Sequence, residues 1–153
     1  MLVKDIMTSD VITVTPTAGI HELAALFVQN NISGAPVVDE KGVFLGIVLE
    51  EGLIFHDKRV HVPSFMHIAM GFLTFGIKRF EEEIAKITAA TVSQLMEEQA
   101  LTLSPTLSVE EAATLMIEKA MYYCPVLEGR RLLGVVTKKD IVRAIARETN
   151  IRS

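Results

Sequence analysis

The chain states one pattern twice. Residues Val3 to Leu53 recur at Val92 to Ile141: Met7 returns as Met96, Thr13 as Thr102, Pro16-Thr17 as Pro105-Thr106, Glu22 as Glu111 and Pro36-Val37 as Pro125-Val126, each pair 89 positions apart. Further on the register slips by one, with Gly46 returning as Gly134 and Val48 as Val136. A repeat of this kind is one supersecondary unit, too small to close a core alone, so the two copies must pack on each other. The pair is pseudo-symmetric and creates two related clefts, where function is expected.

At 153 residues the chain is one compact domain or two small fused halves. Half of it is hydrophobic and its mean hydropathy is +0.37, so it can bury a core. Its net charge of −4 lacks the basic footprint of a nucleic-acid binder, and no nucleic acid is expected as partner. The single cysteine, Cys124, rules out an intrachain disulfide framework and suits a reducing compartment. The start MLVKDIMTSD has no apolar signal-peptide region, so a cytoplasmic location is expected. The longest apolar stretch, about Phe65 to Ile77, contains His67 and Thr74 and is too short to span a bilayer. No membrane insertion is expected.

Each copy opens with a short amphipathic turn, Val3 to Met7 or Val92 to Met96. The runs Val11-Ile12-Thr13-Val14 and Leu101-Thr102-Leu103 then read as strands, ended by Pro16 and Pro105. Ile20, Leu23, Ala24, Phe27 and Val28, and likewise Val109, Ala112, Ala113, Met116 and Ile117, are spaced along one helical face. Ser108 and Glu111 form a capping-box pair. Pro36-Val37-Val38 and Pro125-Val126-Leu127 open hairpins that turn at Asp39–Gly42 and Glu128-Gly129 and return over Val43 to Leu49 and Leu132 to Thr137. A closing helix starts near Glu50 or Lys138, with Ile141, Val142 and Ile145 as the apolar side of the second. The fold expected is mixed α/β (α+β). It has two β-α-β-β-α repeats related by a pseudo-twofold, at 1–59 and 90–153, with a helical insertion at 60–89.

The Thr-Val-Thr-Pro and Thr-Leu-Ser-Pro openings, the helix leading into a Pro-Val strand, and the hairpin ending in Gly-Val-Val-Thr-Lys-Lys-Asp together resemble the CBS domain, whose paired form is called a Bateman module. The resemblance covers about residues 2–55 and 90–148. It implies packed sheets, adenosine-containing ligands held in clefts between the copies, and association of two modules as a flat dimer. It also implies a regulatory module that needs no cofactor and binds AMP, ADP, ATP or S-adenosylmethionine, signalling to an effector protein in trans.

In this family a Thr/Ser-x-x-Asp at the last strand–helix junction carries ribose recognition, which the resemblance places at Thr137-Lys138-Lys139-Asp140. A carboxylate can accept from both ribose hydroxyls, and its charge strengthens those bonds. The Thr137 hydroxyl, the helix N-terminal amides and the charges of Lys138 and Lys139 suit a phosphate. The same motif also reads simply as a helix cap. By the same resemblance Ile32, Ser33 and Ala35 of the first copy and Tyr122 and Tyr123 of the second contact the base, with Ser9 and Val11 lining the pocket. The tyrosines also read as packing against the hairpin. The first copy has Leu49-Glu50-Glu51-Gly52 at the equivalent place, without the hydroxyl or the carboxylate. One competent nucleotide cleft is therefore expected, the other being empty or adapted to a neutral or cationic ligand.

The insertion continues the first closing helix through His56–Arg59, breaks at Pro63-Ser64, and resumes as a helix apolar nearly all round from Phe65, which needs protein on more than one side. It follows the altered motif and is expected to cover that cleft. His56, His61 and His67 are spaced by five and six, which matches no helical pair or common zinc pattern. Cys124, lacking a paired histidine, reads as a buried structural thiol. No P-loop, nucleophile–base pair or metal cluster points to an enzyme. The rival reading is a dimerisation module with two vestigial clefts.

Overall fold

The computed structural model describes residues 1–55 and 90–152. The expectations for the insertion, and for His56, His61 and His67, fall outside the described residues. The elements run α1 (Val3–Ile6), α2 (Ile20–Asn30), β1 (Gly34–Val38), β2 (Phe44–Leu49), α3 (Glu50–Phe55), α4 (Val92–Leu95), α5 (Val109–Lys119), β3 (Tyr123–Glu128), β4 (Arg131–Thr137) and α6 (Lys138–Arg152). β1 pairs antiparallel with β2, and β3 with β4, so each repeat carries one hairpin flanked by two helices. The hairpins explain the slip in register. Val38 faces Phe44 across a five-residue turn, whereas Leu127 faces Leu132 across four residues, so the first turn holds one residue more.

The expected opening strands are shorter than the alternating runs suggested. Each contracts to a single parallel bridge, Val14 with Val37 and Leu103 with Val126. Val14 donates to the Pro36 carbonyl (3.0 Å) and accepts from the Val38 amide (3.0 Å); Leu103 does the same with Pro125 and Leu127. Two residues on, at the next position facing the same way, stand Pro16 and Pro105, which have no N–H to continue the ladder.

Helix boundaries follow local chemistry. Ser108 caps α5: its hydroxyl accepts from the Glu111 amide (3.1 Å), and the Glu111 carboxylate accepts from the Ser108 amide (3.3 Å). α2 and α5 end on Asn31 and Ala120, both left-handed (φ 49° and 51°). Leu23 and Phe27, and Val109, Ala112 and Met116, face inward as the spacing predicts. Val28 and Ile117 do not: they are 82% and 71% exposed, because one residue beyond Phe27 or Met116 the helix has turned the side chain out of the buried stripe. In α6 the buried face is carried by Asp140 and Ala144 with Ile141 partly covered, while Val142 and Ile145, expected inside, point outward.

The copies interlock by exchanging their opening turns. α1 enters the second repeat's core, where Val3 and Ile6 pack with Leu103, Val109, Met116, Val126 and Val136. α4 enters the first repeat's core, where Val92 joins Leu23, Phe27, Val37 and Val48. Equivalent hydrogen bonds tie both exchanges. Val3 donates to the Leu107 carbonyl (2.8 Å) and Val92 to that of Ala18 (2.9 Å). The segments beyond the turns then pair with the far edge of each hairpin, Thr8 with Val135 and Glu97 with Ile47. Neither repeat completes its core without the other.

Candidate functional site at the junction of the last strand and last helix

The motif Thr137-Lys138-Lys139-Asp140 spans the end of β4 and the first turn of α6. Asp140 is the one charged side chain buried among the described residues, at 4% exposure. Its Oδ2 accepts from the Thr137 amide (2.8 Å) and from the Thr137 hydroxyl (3.1 Å). This is the geometry of a helix cap, so the capping reading of the motif describes a real interaction. It does not use up the carboxylate. Oδ1 meets the Arg143 guanidinium at 3.5 Å and accepts no hydrogen bond from a described residue. Oδ2 orients the group, and Oδ1 faces the Arg143 guanidinium.

The remaining candidates divide into groups. The Lys138 ammonium sits 4.2 Å from the centroid of the Tyr122 ring, a cation–π contact worth about 0.5–1 kcal/mol at an exposed site. Lys139 is exposed on the same turn. Tyr122 is 41% exposed and its ring borders solvent. Tyr123 is turned inward against Gly34 and Leu49 of the first repeat, and burial raises its phenol pKa. Ile32 and Ser33 lead into β1: the Ile32 amide donates to the Phe27 carbonyl (3.1 Å), and the Ser33 carbonyl accepts from the Glu50 amide (2.9 Å). Ala35 is fully buried opposite Val48.

Ser9 and Val11 follow Thr8, which pairs with Val135 of β4. With Thr13, Val38, Gly42, Leu132 and Leu133 they line a cavity of about 260 Å³ between the opening segment and the hairpins. Leu132 and Thr137 are at opposite ends of β4, about 16 Å apart at strand rise, so Ser9 and Val11 border a space to which Thr137 and Asp140 do not contribute.

In the first repeat Leu49 holds the place of Thr137, and its side chain turns toward Gly34 and the interface. Glu50 and Glu51 open α3 where Lys138 and Lys139 open α6, and Gly52 stands in place of Asp140. Cys124 is fully buried, its thiol donates to the Met121 carbonyl (3.6 Å), and burial pushes its pKa up to about 11, as befits a packing residue. Among the described residues no cluster of histidine, cysteine, aspartate and glutamate could hold a metal ion. None of their helices is long and apolar enough to cross a membrane. Arg143 and Gly34 went unremarked in the sequence. The first stands one helical turn after Asp140; the second matters through a contact that only folding creates.

Two β-α-β-β-α units joined about a pseudo-twofold, one of them with a Thr-x-x-Asp junction, define a paired-repeat module of the Bateman type. The chain belongs to the CBS-domain family: the CBS domain matches residues 3–58 and 92–147. Protein MJ1426 of Methanocaldococcus jannaschii is 27% identical over 95% of this chain and 91% of its own length. The chloroplastic CBS domain-containing protein CBSX1 of Arabidopsis thaliana is 28% identical over 88% of this chain, which spans only 59% of that relative. Among solved structures, CBSX2 in complex with AMP superposes with a TM-score of 0.75 at 23% identity, covering 97% of this chain and 98% of that one. The CBS domain pair of MJ0100, solved with methylthioadenosine and S-adenosyl-L-methionine, gives 0.70 at 24% identity, covering 97% and 98%.

Proposed function

We propose that the chain is a regulatory module that binds an adenosine-containing ligand (AMP, ADP, ATP or S-adenosylmethionine) between its repeats. It acts in the cytoplasm and passes the signal to an effector protein in trans. The observation that carries this reading is Asp140, a buried carboxylate with one oxygen locked by Thr137 and the other accepting no hydrogen bond from a described residue. A ribose diol fits such a group, because two adjacent hydroxyls can donate to one charged acceptor. The ligands in the CBSX2 and MJ0100 structures share that adenosyl chemistry. A ligand that favours one arrangement of the paired repeats would shift the population toward it, which is all a sensor requires.

The reading includes a homodimer. Exposed apolar residues occur at equivalent places in the two repeats, Val28 with Ile117 and Ile54 with Val142, which favours a partner as symmetric as the module itself. Sedimentation velocity on wild type beside Val28→Glu/Ile117→Glu tests this: a monomeric wild type would remove the dimer.

Calorimetric titration with AMP, ADP, ATP and S-adenosylmethionine tests the main reading. It expects saturation at about one ligand per chain, abolished in a folded Asp140→Ala variant. Silence across the panel, with folded and ligand-free protein, favours the second reading: an assembly module with vestigial clefts. Leu49 and Gly52, which strip the first repeat of the binding chemistry, already point that way for one cleft.

A further inference from the structure

The buried carboxylate of the junction has one oxygen left to accept with, and a cation stands against it. The Thr137 amide and hydroxyl both donate to Asp140 Oδ2 (2.8 and 3.1 Å). Oδ1 accepts no hydrogen bond from a described residue and faces the Arg143 guanidinium at 3.5 Å. Arg143 stands one helical turn further along α6, and its side chain is 65% exposed where that of Asp140 is 4% exposed. A buried carboxylate has to be compensated for the water it loses. At Oδ1 that compensation is a long ion pair from a mostly solvated side chain, the kind of contact that water and salt weaken. The first repeat lacks both members of the pair: Gly52 and Phe55 hold the places of Asp140 and Arg143.

From this geometry we propose that Arg143 is a latch on Asp140: it engages Oδ1 in the empty junction, and the ribose of an incoming ligand displaces it. The inference rests on the reading of this junction as an adenosyl site. With Oδ2 taken by Thr137, Oδ1 is the oxygen that a ribose hydroxyl has to reach, and the carboxylate offers little open surface besides the side that Arg143 faces. A hydroxyl donating to a carboxylate makes a shorter and better directed contact than the guanidinium makes at 3.5 Å. Arg143 can leave without moving the backbone, since its side chain already lies largely in water. The ligand then supplies the compensation that the guanidinium gave. Arg143 acts here through Asp140 and touches no ligand, so it is a positioning residue. It holds down the affinity for every ribose-bearing ligand alike, which sets the concentration at which the junction responds.

The test is titration of the full chain with adenosine and AMP, for wild type, Arg143→Ala, Arg143→Lys and, as a charge control, Lys119→Gln at the far end of α5. Arg143→Ala should bind adenosine about 1.5-fold to fivefold more tightly than wild type, the range that an exposed ion pair commands. Arg143→Lys, which keeps a cation in reach of Oδ1, should stay near wild type, and Lys119→Gln should match it. Salt supplies a readout that a merely structural role would not move. Adenosine is neutral, so its affinity for wild type should rise as salt screens the latch, and its affinity for Arg143→Ala should stay flat. Adenosine affinity equal to or below wild type in folded Arg143→Ala overturns the latch. So does a loss of AMP affinity in that variant, which would mark Arg143 as a phosphate contact. Either result leaves the adenosyl site standing. Absence of binding by both ligands to folded wild type overturns both readings.

Discussion

The ring of Tyr123 lies against Gly34, the residue that holds its own place in the other repeat. A Cβ added to Gly34 would stand 2.9 Å from Tyr123 Cδ2 and 2.8 Å from Leu49 Cδ2. Positions that meet their own equivalents lie on the pseudo-twofold axis, and Val43 and Arg131, also equivalents, form a bridge there too. Two large residues could not share such a point, and two glycines would leave a void. One of each fills it, so the interface is asymmetric where the symmetry operator passes. Gly34→Ala should cost about 1–3 kcal/mol by overpacking. Combining it with Tyr123→Leu should recover part of the loss. Urea denaturation of the four proteins gives the coupling energy; strict additivity would mean that the ring does not oppose the new methyl group.

The exchanged segments leave a second mark at glycine. A Cβ on Gly46 would lie 2.6 Å from the Glu97 carbonyl oxygen, and one on Gly134 would lie 2.7 Å from that of Thr8. These are backbone atoms fixed by reciprocal bonds of 2.8–3.0 Å to Ile47 and Val135, so they cannot give way as a side chain would. Gly46→Ala and Gly134→Ala should each destabilise by about 2–3 kcal/mol. Gly19→Ser makes a useful contrast: φ is −79° and nothing lies within 4 Å of the added carbon. A serine there, with Glu22 three residues on, would complete the cap that Ser108 and Glu111 form, gaining a few tenths of a kcal/mol.

Asp140 ties the end of β4 to the start of α6. Removing its carboxylate strips the Thr137 amide and hydroxyl of their acceptor in a partly buried setting. Asp140→Ala should therefore lower stability by about 1–2 kcal/mol. Asp140→Asn, which keeps one carbonyl oxygen, should lose less. An unchanged urea midpoint in the alanine variant would show that the cap contributes nothing.

Cys124 ties stability to pH. Its thiol titrates near 9 in an ordinary setting and about 11 in the fold, because burial disfavours the thiolate. The folded state therefore holds the proton over a range in which the unfolded state has released it. The stability from the neutral thiol is intact below about pH 9 and is lost progressively as pH rises toward 11. Burial raises Tyr123 in the same sense, which extends the decline. Denaturant midpoints at pH 8 and pH 10.5 should show the fall, reduced in Cys124→Ala. At pH 8, a thiol reagent should label the native protein only as fast as it unfolds; rapid labelling would contradict the burial.

Ala120 ends α5 in the left-handed region, at φ 51° and ψ 40°, where a Cβ crowds the backbone. Ala120→Gly should stabilise the protein by about 1 kcal/mol. The same change at Asn31 should yield less, since asparagine adopts this conformation more readily. Thermal unfolding of both variants provides the comparison.

Most of the local architecture was legible in the residues alone. The 89-residue offset, the two helical faces, the hairpins, the Ser108 cap and the lack of a Thr-x-x-Asp pattern at Leu49–Gly52 depend on spacing and residue type, which sequence reports directly. Val11–Val14 and Val142 show where local pattern misleads: the ladder cannot extend from Val14 back to Ile12 because Pro36 has no N–H to donate, and the packing of α6 turns Val142 outward. The repeat also equated Val3 with Val92 without saying which core either enters. A turn packed in its own repeat and one exchanged with the other have the same sequence pattern, so local propensity cannot separate them. Long-range contacts decide: the 2.8 Å bond from Val3 to Leu107, the glycines that admit the crossing backbone, and Tyr123 seated on Gly34. Chemistry and periodicity are carried by neighbours in sequence, and so the sequence determined the units. Which units complete each other is a property of surfaces that exist only once both have folded, and that was decided by the tertiary structure.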